Sequence, residues 1–548
     1  MTTHHTEDEG ALPLSRRSAL RAAAVTGALA AVPTVAAESG AAAATPAAAA
    51  SATGSARPTS TAANPSPLLW KQPERLGAPP NSGLHLTFGA DPAREMTVSW
   101  STATSVAAPR VRFGTPDGGF GHEVSAQTVT YVDGDSKIEC YIHHAKLTGL
   151  RPNTTYIYAA LADGVLPDAG TFETAPVGRT PFTFTSFGDQ CVPSSSWAAA
   201  GGTYSAELTT LAAPSAGDIV DGIEQVRPLF HLINGDLSYA NLSADRVRTW
   251  NDFFTNNERS ARRRPWMPAP GNHENELGNG ALGYDAFRTR FAVPSNGSAD
   301  FEGLWYAFTI GGVRVIVLAN DDVALQDAGD SYVNGYSDGQ QKAWLTAQLA
   351  AARASREVDW IVVCMHQVIV STANANGADL GIRQNWGPLF DEYEVDLVVC
   401  GHEHDYERTY AVRGTVSGSE TLTPNPVSTE TSNIDTSQGT VHMVLGGGGN
   451  SYNTNTMFYA NGQGKVITAV NGPVSGGKRT PTYVMEDAIW SAYRDVEHPY
   501  GFAAFDVDPG SKPGGTTSIR VTYYNVLQPY GGLETLETFT LHRRRSDG

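Results

Sequence analysis

Three near-continuous apolar runs constrain the fold of this chain more than anything else in it: RVIVLAND (residues 314–321), WIVVCMH (360–366) and DLVVCGHEH (396–404). Each is short, rich in β-branched residues, and ends abruptly in polar side chains. A helix needs a longer apolar stripe, whereas a strand covered on both faces needs an unbroken run of this kind. Between the first two runs, SDGQQKAWLTAQLAAARAS (337–355) reads as a helix with Ser337 as its N-cap and Gln340 three residues on. RQNWGPLFDEYEV (383–395) then bridges to the third run. Strand and helix alternate, which predicts an α/β sheet that gathers ligands at the carboxyl ends of its strands.

Upstream the rhythm differs. LHLTF (84–88), MTVSWST (96–102), RVRFG (110–114), YIHHAKLTGL (141–150) and TTYIYAAL (154–161) are short alternating strands separated by Gly, Pro and Asp turns. That pattern predicts a β-sandwich over residues 67–176, closed by TFETAP. The strand–helix part then occupies 180–545, and the strand-like pieces beyond residue 411 (TVHMVLGGGG, GFAAFDVD, SIRVTYYNV, ETFTLH) complete its sheets. The expected architecture is a β-sandwich followed by an α/β domain of mixed sheets flanked by helices. A chain of 548 residues has room for both.

Residues 1–37 read as an export segment, because Arg16-Arg17 precedes an Ala/Val-rich run; the segment is similar to a twin-arginine signal. Residues 38–66 are Ala, Ser, Thr, Pro and Gly, too poor in large apolar side chains to order themselves, and read as a linker. The mature protein is then expected to be secreted or periplasm-like, with no membrane insertion, since no later apolar run is long enough to span a bilayer. A formal charge of −18 argues against nucleic acid as a partner. Cys140, Cys191, Cys364 and Cys400 are too few for a disulfide framework, and buried free thiols are expected.

The chemistry lies where apolar runs stop. FTFTSFGDQ delivers Asp189; LFHLINGDLSY delivers Asp236 and Tyr239; WMPAPGNHE delivers Asn272, His273 and Glu274; WIVVCMHQ delivers His366; DLVVCGHEH delivers His402 and His404. A lone Gly-Asp is usually a turn and a lone buried His usually a core residue. Five strand ends supplying carboxylate, phenol, amide and imidazole point instead to a site for Fe, Zn or Mn.

The ordered set GD, GDLSY, GNHE, VCMH and GHEHDYER resembles the metallophosphoesterases, and among them the purple acid phosphatases, over roughly residues 75–545; the sandwich then resembles their fibronectin type III-like N-terminal module. The resemblance implies a binuclear centre. Asp189, Tyr239, His404 and a shared Asp236 would hold ferric iron; Asp236, Asn272, His366 and His402 would hold a divalent Fe, Zn or Mn. Glu403 and Asp405 would be supporting or solvated groups, His273 would contact phosphate or protonate the leaving group, and Glu274 would orient His273. Small phosphomonoesters would be hydrolysed by a metal-bound hydroxide.

Two departures stand out. The wider superfamily has Asp-x-His where this chain has Asp189-Gln190-Cys191, so either Cys191 or Tyr239 must complete the first site. Plant and animal relatives also carry further His residues after the His366 equivalent, and QVIVSTANANGADLGIRQ (367–384) has none. His442, His498 and Asp379 stay open as proton donors. A phosphodiesterase or nucleotidase using the same metals is the alternative enzyme, and a binding protein on a decayed scaffold is the non-enzymatic one.

Overall fold

The computed structural model describes residues 80–192, 215–326, 329–449, 457–460, 462–472 and 479–548. The expected export segment, the linker and the first residues of the sandwich (67–79) lie outside the described residues.

Strands β1 (Ser82–Phe88), β2 (Met96–Thr102), β6 (Glu139–Leu147) and β5 (Gln127–Val132) form one antiparallel sheet. Strands β4 (His122–Ser125), β3 (Ala107–Gly114), β7 (Thr155–Asp163) and β8 (Asp168–Glu173) form the other. The period of two places Leu84, Leu86 and Phe88 in one core with Met96, Val98, Trp100 and Tyr158. The alternate residues of β1 are buried as well. His85 stacks on Phe254 at 4.6 Å, in helix α2 (Arg246–Ala261), and its Nε2 lies 3.0 Å from the Arg290 carbonyl. The outer face of this sheet is therefore an interface with the rest of the chain.

Two seven-stranded mixed sheets follow. In the first the order is β11 (Trp266–Pro268), β10 (Phe230–Ile233), β9 (Phe182–Phe187), β25 (Gly501–Asp508), β26 (Thr516–Leu527), β27 (Gly532–Arg544) and β20 (Asn433–Asp435). In the second it is β12 (Tyr306–Ile310), β13 (Val313–Val317), β14 (Trp360–Cys364), β16 (Leu397–Cys400), β21 (Val441–Leu445), β17 (Tyr406–Thr409) and β24 (Ser491–Arg494). A hairpin, β18 (Ala411–Thr415) with β19 (Pro424–Ser428), and a small sheet of β15 (Ala378–Asp379), β22 (Gln463–Asn471) and β23 (Thr480–Asp487) complete the strands.

The two large sheets share one core. Phe184, Phe230 and Phe505 of the first meet Val315, Val362, Val399 and Met443 of the second. On the outer face of the first sheet, Phe187 and Ile233 pack under helices α1 (Ser215–Val226) and α2. On that of the second, Ile316, Ile361 and Val363 pack under α4 (Gln340–Ala354) and α6 (Gly387–Glu392), which contribute Leu345, Leu349 and Phe390. Both faces of each central strand are thus dry, which is why their sequences show no alternation.

One local expectation needs correction. Helix α4 starts at Gln340 behind an N-cap at Gly339, whose φ of +77° ends the preceding turn. Ser337 instead donates its hydroxyl to Asp322 and accepts the Gln341 N–H at 3.2 Å. The bridge before β16 is two short helices, α5 (Leu380–Asn385) and α6; α3 (Asp285–Arg290) lies earlier, beneath the sandwich.

Candidate metal centre

The strands that carry the polar clusters all end at one edge of the paired sheets. Asp189 follows β9, Asp236 and Tyr239 follow β10, Asn272 follows β11, His366 follows β14, and His402 and His404 follow β16. The chain must turn within one or two residues there. Asp189, Asp236, Tyr239 and His402 do so with φ of 63°, 53°, 57° and 73°, a region that non-glycine residues rarely occupy. The turns brace one another: the Asp189 N–H donates to the Gly235 carbonyl at 3.1 Å, and the Gln190 N–H to the Asp236 carbonyl at 3.0 Å. Gly401 is needed for close approach, since a Cβ there would lie 2.3 Å from Asp189 Oδ2.

The resemblance has Glu274 orient His273, whereas the Glu274 carboxylate here braces two turns. Fully buried, its carboxylate accepts the N–H groups of Asp236 (2.9 Å), Leu237 (2.9 Å) and Gly271 (2.8 Å), tying the Asp236 turn to the Asn272 turn. Asn234, which the pattern did not single out, joins four strand ends. Its N–H donates to Phe187, its Nδ2 to Cys400, its Oδ1 accepts from Ser186, and its carbonyl accepts from His366 Nδ1 at 2.7 Å. The adjoining Gly-Asp was the only sequence signal near it.

That last bond decides the chemistry. Because His366 Nδ1 donates to a backbone carbonyl, the neutral ring has its lone pair on Nε2. Nε2 then lies 3.1 Å from Asp236 Oδ2, 3.0 Å from Asn272 Oδ1 and 3.2 Å from His402 Nδ1. His402 Nδ1 is itself 3.1 Å from Asn272 Oδ1. Carboxylate, amide oxygen and two imidazole nitrogens converge through contacts of 3.2 Å or less, a cluster that positive charge stabilises, whether a metal ion or a proton on His366. Asp236, His366 and His402 also form the one metal-competent His/Cys/Asp/Glu group found among the described residues. Burial works against a charged imidazole at His366, yet the Asp236 and Asp189 carboxylates outweigh it and raise the ring to about 10. These residues fit a cation.

Beside them is a second cluster. Tyr239 Oη lies 3.2 Å from Asp189 Oδ1 and 3.1 Å from His404 Nε2, with His404 Nε2 3.4 Å from Asp189 Oδ1. Asp189 Oδ2 accepts the His402 N–H at 2.8 Å, so the two clusters share a frame. The Cys191 thiol is fully buried and its pKa is pushed up, first by burial and then by Asp236; Tyr239 is the residue that meets Asp189 and His404. All seven sequence-derived ligand candidates are therefore in this one place.

His273 sits at the rim with its ring on Tyr239, centroids 4.4 Å apart, and its N–H on Asp236 Oδ1 at 2.9 Å. Its Nδ1 donates to Asn241 Oδ1 at 2.9 Å. The amide orientation follows from Asn241 Nδ2, which donates to Asp330 Oδ1 at 3.3 Å. Asn241 is a second residue the pattern missed, although it lies just beyond GDLSY.

The structure narrows readings that the sequence leaves open. Glu403 and Asp405 are buried rather than solvated; Glu403 accepts the Asn376 N–H at 3.1 Å and that of Gly377. Of the three proton donors left open, Asp379 is fully buried and accepts the N–H groups of Leu325 (2.8 Å), Gln326 (3.1 Å) and Gly381 (2.8 Å), which is a loop-fixing role. His442 lies within β21, beside Phe390 in a separate pocket of about 250 Å³. His498 is paired with Asp495 at 3.0 Å.

Known proteins resemble this chain. Residues 81–174 match the purple acid phosphatase N-terminal domain, and residues 212–406 match the calcineurin-like phosphoesterase family. The chain is 56% identical over 482 residues to an uncharacterised protein of Mycobacterium tuberculosis, covering 87% of this chain and 90% of that one. It is 29% identical to a phosphoenolpyruvate phosphatase of Allium cepa, covering 67% of this chain and 69% of that one. The structure of a purple acid phosphatase from yellow lupin (Lupinus luteus) seeds superposes with a TM-score of 0.62 at 21% identity, covering 86% of this chain and 75% of that one.

Proposed function

The chain belongs to the purple acid phosphatase family of calcineurin-like phosphoesterases and is a metal-dependent phosphoester hydrolase, and from that premise we propose that it is an exported phosphomonoesterase with one ferric and one divalent ion. The observation that carries the reading is the convergence of Asp236, Asn272 and His402 on His366 Nε2, all within 3.2 Å. Asp189, Tyr239, His404 and Asp236 would hold the ferric ion, because phenolate is a hard anionic donor. Asp236, Asn272, His366 and His402 would hold Fe, Zn or Mn in the divalent state. What such ions supply when bound is Lewis acidity toward a phosphoryl oxygen and an acidified water.

The chain supplies positioning and protons. Glu274 and Asn234 lock the turns that aim the ligands. Asn241 keeps a proton on His273 Nδ1, which leaves Nε2 on the site side, 4.0 Å from Asp236 Oδ2, to contact phosphate or to carry a proton to the leaving oxygen. With no histidine in residues 367–384, His273 is the proposed acid. Arg16-Arg17 supports export by a twin-arginine route. Metal analysis of the purified protein with a phosphoester panel tests the proposal. Two equivalents including iron, and faster turnover of p-nitrophenyl phosphate than of its bis ester, are expected. The reverse preference would make it a phosphodiesterase.

A further inference from the structure

We infer that Gln326 selects the tautomer of His402 that can bind a metal, and that Asp379 holds it in place to do so. The inference rests on the dimetal reading above. His402 needs a bare Nδ1, since Nδ1 is the atom facing Asn272 Oδ1 and His366 Nε2 at 3.1 and 3.2 Å. A neutral imidazole carries one proton, so Nδ1 is bare only if the proton sits on Nε2. The partner of His402 Nε2 is Gln326 Oε1 at 3.0 Å. With the amide turned so that Oε1 faces the ring, as here, it accepts and does not donate, which places the proton on Nε2 and the lone pair in the site. His366 gets the same service from the Asn234 backbone carbonyl, but His402 depends on a side chain.

Asp379 makes that side chain dependable. Its Oδ2 accepts the Leu325 and Gln326 N–H groups at 2.8 and 3.1 Å, while its Oδ1 accepts the Gly381 N–H at 2.8 Å as the N-cap of α5. One buried carboxylate thus fastens the Gln326 loop to the start of a helix.

The test is Zn(II) binding to metal-stripped protein, by titration against a competing chelator. Wild type should take two equivalents. Gln326→Leu, which keeps bulk but cannot accept, should bind one equivalent about 10–100-fold more weakly, the usual effect of losing such a partner. Gln326→Glu can only accept, so it should bind at least as tightly as wild type. In the zinc-loaded wild type, ¹⁵N shifts of His402 should show a protonated Nε2 and a metallated Nδ1. A zinc-free melting temperature that is the same in all three proteins separates the effect from folding. Equal affinity in wild type and Gln326→Leu overturns the inference alone. So does weaker binding in Gln326→Glu, which would mean the amide donates to His402, or a proton on His402 Nδ1. Wild type that takes up no zinc overturns the dimetal reading and this inference with it.

Discussion

Asp236 is the residue proposed to serve both clusters. It lies 3.1 Å from His366 through one oxygen and accepts the His273 N–H at 2.9 Å through the other. Asp236→Asn removes the shared charge, so it should leave less than two metal equivalents and almost no turnover while the fold persists; full occupancy at wild-type rate would exclude a bridging role. Tyr239→Phe keeps the ring packed on His273 but deletes the oxygen 3.2 Å from Asp189. The iron-loaded protein should be pink to purple by phenolate charge transfer, and this variant should lose the band; a colourless wild type or a surviving band would refute ferric iron at Tyr239. At His273, replacement by Ala should slow hydrolysis about 10²–10⁴-fold. The loss should be smaller for p-nitrophenyl phosphate than for an alkyl phosphate, because a good leaving group needs less protonation. Equal losses would assign His273 to binding alone. At this scale the ligand types were legible as sequence, since each caps an apolar run. Their supports were not: Gln326 is 76 positions from His402, and Asn241 is 32 from His273.

Elements aim these side chains through their ends rather than their middles. The β16 turn brings Gly401 against Asp189, and an added Cβ would sit 2.3 Å from Oδ2 and 2.8 Å from the Asn234 carbonyl. Gly401→Ala should therefore displace Asp189 or His402 and weaken metal binding while the strands still pair. Unchanged metal affinity, measured by chelator competition, would mean the turn relaxes freely. The strands themselves were readable from unbroken apolar runs, and the sandwich strands from alternation. The start of α4 was misread, because Ser337 looks like a cap until Asp322, fifteen positions away, takes its hydroxyl.

In the whole molecule the sandwich is packed onto helices α2 and α3 through histidines that burial keeps neutral. Burial lowers His85 to about 4, and the Arg290 charge adds to that shift. His144 is also lowered to about 4, and its Nε2 meets the Thr289 carbonyl at 2.9 Å across the interface. In the unfolded chain both titrate near 6.5. Between these values the unfolded state binds more protons, so stability falls as pH drops from about 6.5 toward 4, by up to about 3 kcal/mol per histidine. Urea midpoints should decline over that range, and His144→Gln should flatten the decline by up to one proton. A midpoint independent of pH would contradict this account of the interface.

Sequence by itself determined the class of fold and the kind of site. Period and run length report how many faces of a strand are dry, and a polar residue that follows such a run must stand at a strand end. Among the described residues, only the tertiary structure decided which strand ends meet and which nitrogen of each histidine is bare. It also decided that Glu274 braces turns and that Asp379 anchors a loop. Those outcomes depend on hydrogen bonds between segments far apart in the chain, and a bond of about 3 Å leaves no periodic trace in the order of residues.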